Sequence, residues 1–503
     1  MADVFSKRRP QGGRLAAASV MLLLLCGCPE SEPQSEPDAL PFTDMRMDLL
    51  VPEGLGLKTA MHSTLEEWSA QSGASCRVIE FAVQEDLVDN IDSAASQDSQ
   101  LIVFPLAELA DYAAAELLQP IPQSQLSTRV LNWVDLFPGL RHSVSMRGEQ
   151  PTVLPVSCPS LICYYRQDLL DAAELKPPET WADYEHLLEK QQDWTGGLPV
   201  VEPWGSAFLP TMFLAHSVAY SKHPANYSLL FDISTGEPLI NRPGFVRGLE
   251  SMQRIGGKLQ AASLQMSVAE ARRLMLSGQA AMTFAFESSR GAGQLPIASS
   301  GQATPAADSR QTPDRGEDVV LGFCRLPGAR QVFDISEEAW TGLKGNRINH
   351  VAVVGWRGLG IAIRSGASER QQLAACQLLR RLTMEQVRVA LPDGTRTLCR
   401  HSQMREAIGW VGHRLSSRER GQYILATADS LKSAAAVADF SFVDRERFRA
   451  ALGTAVRRAL QEPIEAQTVL DQLAAEWKAA IQSIGRRKFL DSYRAGLGLM
   501  PSI

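Results

Sequence analysis

Apolar and polar positions alternate in a regular way through the first part of the chain. Three short runs rich in branched apolar residues are typical of buried strands, and segments with helical spacing lie between or after them. The first of these helices has Leu65 and Trp68 on one face. The predicted strands are residues 47–51, 77–83 and 100–104, and the predicted helices are residues 64–71 and 106–118. This alternation indicates a mostly parallel sheet with helices on both faces.

The pattern changes after residue 150. Residues 152–165 form an apolar stretch that is too long for a routine strand, and Pro155 and Pro159 interrupt it. Thr180 with Asp183, and Ser368 with Gln371, have the spacing of capping boxes and predict two helix starts. Further strands are predicted at residues 280–286, 318–324, 351–354 and 361–363, and a further helix at residues 269–277.

Two apolar stripes at helical spacing predict that the end of the chain is helical. One stripe is Phe448, Leu452, Ala455 and Ala459, and the other is Leu470, Leu473, Trp477 and Ile481. Residues 291–318, by contrast, are rich in Gly, Ala, Ser, Gln, Pro and Asp and have almost no large apolar side chain. Such a segment buries too little surface to offset its ordering entropy, so we predict a mobile insertion there.

The N-terminus has the pattern of an export signal. Basic residues, among them Arg9 and Arg14, precede an apolar run at residues 15–25, and Cys26-Gly27-Cys28 follows at once. Eleven residues are too few to cross a bilayer, so residues 1–27 are predicted to be a signal peptide. Residues 25–28 resemble the lipobox of bacterial lipoproteins, with Cys28 as the lipid acceptor. An ordinary secretory signal with two incidental cysteines is the alternative.

The composition narrows the class of protein. The 503 residues are 45% hydrophobic and 21% charged, which is typical of globular domains, and the net charge of -6 disfavours a nucleic-acid partner. Residues 28–41 are rich in Pro, Glu and Ser and fit a solvated tether.

No CxxC, CxxH or HExxH pattern occurs, so neither a metal nor another cofactor is predicted. Six cysteines follow Cys28, and their pairing stays open.

Several local patterns, in one order, resemble the maltose-binding-like extracellular solute-binding proteins of ABC importers. Tyr165 departs from that family, which has an asparagine there, and the predicted insertion departs from it too. The matching segments are residues 101–104, 117–120, 154–156, 164–169, 178–181, 231–243, 278–283, 326–328 and 358–363. Their succession covers roughly residues 45 to 485, and it is the order rather than any single segment that is specific.

The resemblance implies an α/β fold of the two-lobed periplasmic-binding-protein type, with a hinge and a ligand cleft between the lobes. Lobe I would comprise residues 42–157 with about 345–392, and lobe II residues 158–344 with about 393–503. The expected function is capture of a small solute, expected to be a carbohydrate, for the permease subunits of an ABC importer. The protein is expected to be a monomer, not an enzyme, and held on the outer side of a membrane by lipid on Cys28.

A cleft that binds a sugar needs aromatic faces and a few polar groups. Trp204, two residues after Glu202, resembles the family's stacking aromatic, with a core tryptophan as the alternative. Phe104 ends a strand, where ligands of open α/β sheets bind, although core packing also fits it. The full set of expected ligand contacts is Trp204, Glu202, Phe104, Ser157, Cys158, Ser160, Phe286, Glu287, Trp356, Arg357 and Trp340.

Two other classes of protein remain open at this point. An exported hydrolase would need a triad or an acid-base pair, but no Gly-x-Ser-x-Gly elbow occurs and none of the eight histidines has a recognisable catalytic context. A ligand-sensing module for a signalling system would use the same closing trap as a transport protein. Sequence does not separate sensing from transport.

Overall fold

The structure is a computed structural model that describes residues 40–82, 99–286, 316, 318–355, 358–384, 396–411 and 415–500, without the side chains of residues 408–410. The predicted signal peptide, the predicted lipid acceptor Cys28 and nearly all of the predicted insertion lie outside these residues. In the described part, no helix combines the length and apolar character needed to cross a membrane.

Strands and helices alternate along most of the described chain. The strands are β1 (Arg46–Pro52), β2 (Ser75–Phe81), β3 (Leu101–Pro105), β4 (Leu118–Gln119), β5 (Met146–Arg147), β6 (Gln150–Pro151), β7 (Val153–Ser157), β8 (Leu161–Arg166), β9 (Met282–Phe286), β10 (Leu321–Arg325), β11 (Gln331–Asp334), β12 (Ala339–Gly342), β13 (Val353–Val354), β14 (Leu359–Arg364) and β15 (Val437–Ala438). The helices are α1 (Leu57–Ser72), α2 (Leu109–Ala114), α3 (Pro138–Ser143), α4 (Gln167–Ala172), α5 (Trp181–Glu189), α6 (Gln191–Trp194), α7 (Leu209–Ser221), α8 (Pro243–Gly256), α9 (Val268–Leu276), α10 (Glu369–Met384), α11 (Gln403–Trp410), α12 (Ser417–Leu431), α13 (Arg445–Gln461), α14 (Ala466–Ile484) and α15 (Arg486–Gly496).

The first sheet has six strands, in the order β2-β1-β3-β14-β4, and β7 also pairs with β14. β1 is parallel to β2 and to β3, as the sequence predicts, whereas β14 is antiparallel to β3, β4 and β7. The strand that completes this sheet therefore comes from a part of the chain about 200 residues after the others. Helices α1 and α10 pack together on one face of the sheet, where the Trp68 side chain is buried and donates to Gln377 Oε1 at 3.3 Å.

The second sheet has three strands in the antiparallel order β10-β8-β9. Helix α12 packs on β10 and β8, and α9 packs on β9. Because β8 follows β7 after only three residues, consecutive strands of the chain lie in two different sheets. The apolar stretch at residues 152–165 is therefore two strands joined by a crossing segment rather than one long element.

A buried helical layer lies beside the second sheet, where the His216 ring of α7 is 6.3 Å from the Phe284 ring of β9. All residues of α7 are buried, and α8 and α13 pack against this helix. The C-terminal helices add an aromatic cluster around Phe231, whose ring lies 4.8 Å from that of Phe489 and 5.2 Å from that of Trp477. The final helix, α15, also contacts α2 and β5, which precede the crossing segment in the chain.

Several predicted elements are confirmed and others are corrected. Thr180 and Asp183 form a complete capping box at the start of α5, and Ser368 with Gln371 exchanges the corresponding hydrogen bonds before α10. The first helix starts at Leu57 rather than at Thr64. The helix predicted at residues 106–118 is wrong in length, because the chain turns at Glu116, which has a positive φ of 56°, and then forms β4.

The close contact between α7 and α8 can be tested by a substitution at Gly248. A Cβ on Gly248 would lie 2.2 Å from Ser217 Oγ and 2.7 Å from Ser217 Cα. We expect Gly248→Ala to lower the free energy of unfolding by about 1–3 kcal/mol, because a buried helix pair has no room for the methyl group. Urea unfolding followed by circular dichroism measures this change.

Gly421→Ala is the matched control, since Gly421 also lies inside a helix but has no atom within 4 Å of the added Cβ. Here we expect a gain of about 0.5–1 kcal/mol from helix propensity alone. Equal effects of the two substitutions would contradict the close contact of α7 and α8.

Candidate functional site

Two segments that lead to or from the first sheet lie side by side. The first consists of Cys158, Pro159 and Ser160, between β7 and β8. The second follows β13, where Val354 makes a bridge to Ser160 and the Gly355 amide donates to the Pro159 carbonyl at 3.2 Å. We call residues 157–160, 353–355 and 358–359 the crossing: the first segment joins β7 of the first sheet to β8 of the second, and the others lie between β13, which pairs with β15, and β14 of the first sheet.

The end of β3 lies directly on this crossing. The Leu106 amide donates to the Gly358 carbonyl at 2.9 Å. A Cβ on Gly358 would lie 2.7 Å from the Ser157 carbonyl oxygen and 2.9 Å from Leu106 Cδ1. Only glycine fits in this space, so backbone packing determines where the carboxyl end of β3 meets the crossing.

A third segment supports the crossing from the side. The Cys158 amide donates to Thr397 Oγ1 at 2.7 Å. Three residues later the buried Arg400 guanidinium donates to the carbonyls of Leu131 and Asn132, each at 3.1 Å. Burial lowers the pKa of Arg400 to about 10, and nearby Asp135 partly opposes this effect. These bonds hold residues 397–400 against the first segment of the crossing.

An aromatic pair and three polar atoms lie at or next to the crossing. The rings of Phe104 and Tyr112 stack with centroids 4.8 Å apart. Glu108 Oε2, the Tyr112 hydroxyl and Ser160 Oγ have no hydrogen-bond partner among the described residues, although all three atoms are buried. Buried polar groups are normally paired, so these atoms can bind a group that the chain itself does not supply.

Phe286 approaches the same region from the second sheet. It ends β9 and is paired with Leu161, the first residue of β8 after the crossing. Its carbonyl accepts a hydrogen bond from the Tyr164 hydroxyl at 3.0 Å, and the Phe208 ring packs edge-on at 5.3 Å. The structure thus brings five expected residues to or beside the crossing, namely Phe104, Ser157, Cys158, Ser160 and Phe286.

Charged groups surround the turn after β3. Burial raises the pKa of Glu108 to about 8, and the nearby Arg445 guanidinium opposes this shift while Asp111 adds to it. The pKa of Asp111 is also raised, mainly by burial. At neutral pH the Glu108 carboxyl is therefore largely protonated, so it can donate a hydrogen bond as well as accept one.

Arg147 connects this turn to the C-terminal part of the chain. Its Nη2 donates to Ser441 Oγ at 2.9 Å, and the next amide, that of Gly148, donates to the Ala495 carbonyl at 3.1 Å. Burial lowers the pKa of Arg147 to about 10, and the Asp111 carboxylate partly restores it. The turn after β3 is thus enclosed by residues that lie more than 300 positions later in the chain.

Glu202 and Trp204 lie in a buried polar network. Glu202 Oε1 accepts from the Tyr184 hydroxyl at 2.6 Å, and Oε2 accepts from Trp204 Nε1 and lies next to His216 Nε2, both at 2.9 Å. The Trp181 ring stacks on His216 at 3.9 Å. Burial together with the Glu202 charge raises the pKa of Tyr184. The Trp204 side chain is only 2% exposed and packs near Gly256 of α8.

The remaining expected residues lie elsewhere. Trp340 is on the β11–β12 hairpin, and the Arg247 guanidinium lies 5.0 Å from the centre of its ring, between Trp340 and Tyr220. Glu287, Trp356 and Arg357 lie outside the described residues. No group of three or more His, Cys, Asp or Glu residues in the described ranges is arranged to hold a metal ion.

Sequence reasoning missed Glu108, Tyr112 and Arg147. One signal was available for the first two, because Glu108 and Tyr112 are four residues apart and directly follow a predicted strand whose carboxyl end was expected to face a ligand. Arg147 had no such signal, since its partners Ser441 and Asp111 are remote from it in the sequence.

The chain is similar in sequence to one known protein family. The family described as "Bacterial extracellular solute-binding protein" matches residues 65–387. None of the curated protein sequences is significantly similar to the chain.

Solved structures resemble the chain over most of its length. The sugar-binding protein MalE of Xanthomonas citri has a TM-score of 0.62 at 14% identity, covering 88% of this chain and 99% of that one. The cyclic alpha-maltosyl-1,6-maltose binding protein of Arthrobacter globiformis has a TM-score of 0.59 at 14% identity, covering 88% and 100%. An ABC transporter solute binding protein of Agrobacterium radiobacter, in complex with ribitol, has a TM-score of 0.55 at 16% identity, covering 88% and 100%. These similarities confirm the predicted α/β fold with two lobes.

The raised pKa of Glu108 predicts a pH-dependent stability. The folded state retains a proton that the unfolded chain releases near the ordinary pKa of 4.5, so this group makes stability fall as the pH rises from about 4.5 to about 8. Glu108→Gln removes the charge at every pH. We expect the variant to be more stable than the unchanged protein at about pH 9, with the difference much smaller at about pH 5, in urea unfolding.

Glu67→Gln, on the exposed face of α1, is the control and should keep the pH dependence of the unchanged protein. A Glu108→Gln variant with the same pH dependence as the unchanged protein would show that Glu108 is ionised in the folded state.

Proposed function

Because the chain belongs to the bacterial extracellular solute-binding proteins, we propose that it captures a small carbohydrate or polyol outside the cytoplasm and delivers it to the permease subunits of an ABC importer. The family match covers residues 65–387, more than half of the chain. Sugar or polyol ligands are suggested by the names of similar structures, which bind maltosyl sugars or ribitol.

One observation carries the proposal for the ligand site. Three buried hydrogen-bonding atoms without partners in the described chain, on Glu108, Tyr112 and Ser160, lie near a stacked aromatic pair where the two sheets are joined. A sugar presents C–H faces that pack on aromatic rings and hydroxyls that both donate and accept hydrogen bonds. The rings of Phe104 and Tyr112, with the three polar atoms, match both requirements.

We place the other expected contacts around this centre. Ser157 and Cys158 would contact the ligand through the backbone of the crossing, and Phe286 would contact it from the second sheet. Trp204 and Glu202 stay proposed contacts, although their present bonds to each other also suit a core role. Glu287, Trp356, Arg357 and Trp340 likewise stay proposals.

Closure of two lobes, rather than chemistry, would retain the solute. We propose that residues 42–157 with about 345–392 form one lobe and that residues 158–344 with about 393–503 form the other. Two observations support this division, namely the separate sheets and the short crossing between them. Because the family consists of binding proteins, we propose that the chain has no catalytic activity. A ligand that binds both lobes stabilises the closed arrangement by its differential affinity for it.

Ser160 offers the cleanest test of the site. Ser160 Oγ has no partner among the described residues, so Ser160→Ala should leave the stability nearly unchanged. If the hydroxyl binds the ligand, the affinity for a sugar or polyol found by thermal-shift screening should fall about 2- to 10-fold. Isothermal titration calorimetry measures the affinity.

Ser217→Ala is a matched control, because Ser217 Oγ is also buried and unpaired among the described residues but lies in α7, where it faces Gly248 of α8. This control should bind as tightly as the unchanged protein. A Ser160→Ala variant with full affinity would remove Ser160 from the site. Failure of every sugar and polyol in the screen would reject the proposed ligand class.

The proposed lipid anchor has its own test. A fatty-acid label should be incorporated into the chain in a bacterial host and should be lost in Cys28→Ser, because only a cysteine thiol forms the thioether to the lipid. Cys26→Ser is the control and should keep the label, since Cys26 would be removed with the signal peptide. Labelling of Cys28→Ser would contradict the assignment of the acceptor.

A deletion strain separates transport from sensing. Loss of uptake of the bound solute, with the transcriptional response to that solute intact, would support delivery to an importer. Normal uptake without that response would instead favour a sensor.

A further inference from the structure

Two cysteines lie directly opposite each other on neighbouring strands of the second sheet. Cys163 is in β8 and Cys324 is in β10, and the antiparallel register pairs these two residues. Side chains at directly opposed positions lie on the same face of a sheet, with Cβ atoms about 4.5–5.5 Å apart. Their Cα atoms are about 4.5 or 5.5 Å apart in such pairs, within the range of about 4.4–6.8 Å found in disulfides.

The two thiols also interact. Burial is the main cause that raises the pKa of Cys163, and a side-chain hydrogen bond with Cys324 is the next. Both cysteines are free thiols in this structure, with Cys163 buried and Cys324 partly exposed. No other two cysteines in the described ranges are opposed in a strand register.

We propose that Cys163 and Cys324 form a disulfide in the exported protein. The inference uses the extracellular location of the family and not the identity of the ligand. Disulfides form and persist outside the cytoplasm, where thiol oxidases act on newly exported chains. The same pair inside the cytoplasm would stay reduced.

The chemistry is ordinary thiol–disulfide exchange with a protein disulfide as oxidant. The Cys324 thiolate, having lost its proton to solvent, attacks one sulfur of the oxidant's disulfide, forming a mixed disulfide and releasing the oxidant's other sulfur as a thiolate. The Cys163 thiolate then attacks the Cys324 sulfur, which forms the Cys163–Cys324 bond and displaces the oxidant's first sulfur. Two electrons and two protons leave the cysteine pair, and the oxidant becomes a dithiol.

The position of the pair gives the bond a role in the fold. β10 is an edge strand of the three-stranded sheet, and residues 287–315 precede it in the chain. A bond to the central strand β8 would close a loop of about 160 residues, a length at which a cross-link greatly reduces the entropy of the unfolded chain. It would fix the edge strand to the strand that leaves the crossing.

Peptide mapping of the full-length protein exported by a bacterial host tests the bond. The protein is denatured without reductant, its free thiols are alkylated, and the digested peptides are identified by mass spectrometry. We expect a peptide that joins Cys163 to Cys324 and that separates on reduction, whereas Cys76 and Cys376 should be alkylated. Alkylation of both Cys163 and Cys324, or a link from either one to another cysteine, would overturn the proposal.

Variants provide a second readout. Reduction should lower the Tm of the unchanged protein by several degrees but should not change that of the Cys163→Ala/Cys324→Ala double variant. Cys376→Ala is the control and should keep both the linked peptide and the reduction-dependent shift. The same mass spectra show whether the signal peptide has been removed, and this reports export independently of the disulfide. Free Cys163 and Cys324 in a chain that has lost its signal peptide would therefore reject the disulfide. That result would not affect the proposed solute capture.

Discussion

The close passage of two backbone segments at Gly358 is the constraint on which the candidate site depends. The Cα of this residue lies so near the Ser157 carbonyl and the Leu106 side chain that no β-carbon fits. Its own carbonyl receives the Leu106 amide, which holds the end of β3 on the crossing. Close packing of backbone rather than of side chains therefore sets the relative positions of the first sheet, the crossing and the turn that carries Glu108.

Three buried polar atoms near this contact have no hydrogen-bond partner in the described chain. Glu108 is too deeply buried to be ionised readily, so its pKa is raised, and Tyr112 and Ser160 have hydroxyls that nothing in the described chain satisfies. Unpaired buried groups lower the free energy of unfolding. A ligand that supplied the missing partners would recover that energy on binding, which is the physical basis of the proposed preference for a hydroxyl-rich solute.

The buried Glu202 and Arg400, by contrast, have hydrogen-bond partners within the described chain. Glu202 is as buried as any residue of the chain, yet Tyr184, Trp204 and His216 surround its two oxygens. Arg400 likewise has carbonyl partners on the neighbouring loop. The two glutamates thus differ: the described chain supplies hydrogen-bond partners for both oxygens of Glu202 and none for Glu108 Oε2.

Low identity with preserved architecture shows which features of such a chain are replaceable. Identities of 14–16% accompany TM-scores of 0.55–0.62 over 88% of the chain. The alternation of apolar strands and amphipathic helices tolerates extensive substitution, because many apolar side chains fill a core if volume and pattern are kept. The fold can therefore be recognised from the pattern of apolar positions at an identity of 14–16%.

The sequence by itself determined the strands β1 and β3, the capping boxes at Thr180 and Ser368 and the C-terminal helices, because local periodicity and cap chemistry act over a few residues. It did not reveal α7, since a helix buried on all sides has no amphipathic period. Phe104 and Ser160 were predicted as ligand contacts from the rule for strand ends and from the family resemblance, and both lie at the crossing. Only the tertiary structure decided that residues 152–165 divide between two sheets, that Arg147 encloses the turn after β3, and that Cys163 faces Cys324. Those relations join residues far apart in the chain or depend on a register, and no local pattern encodes either.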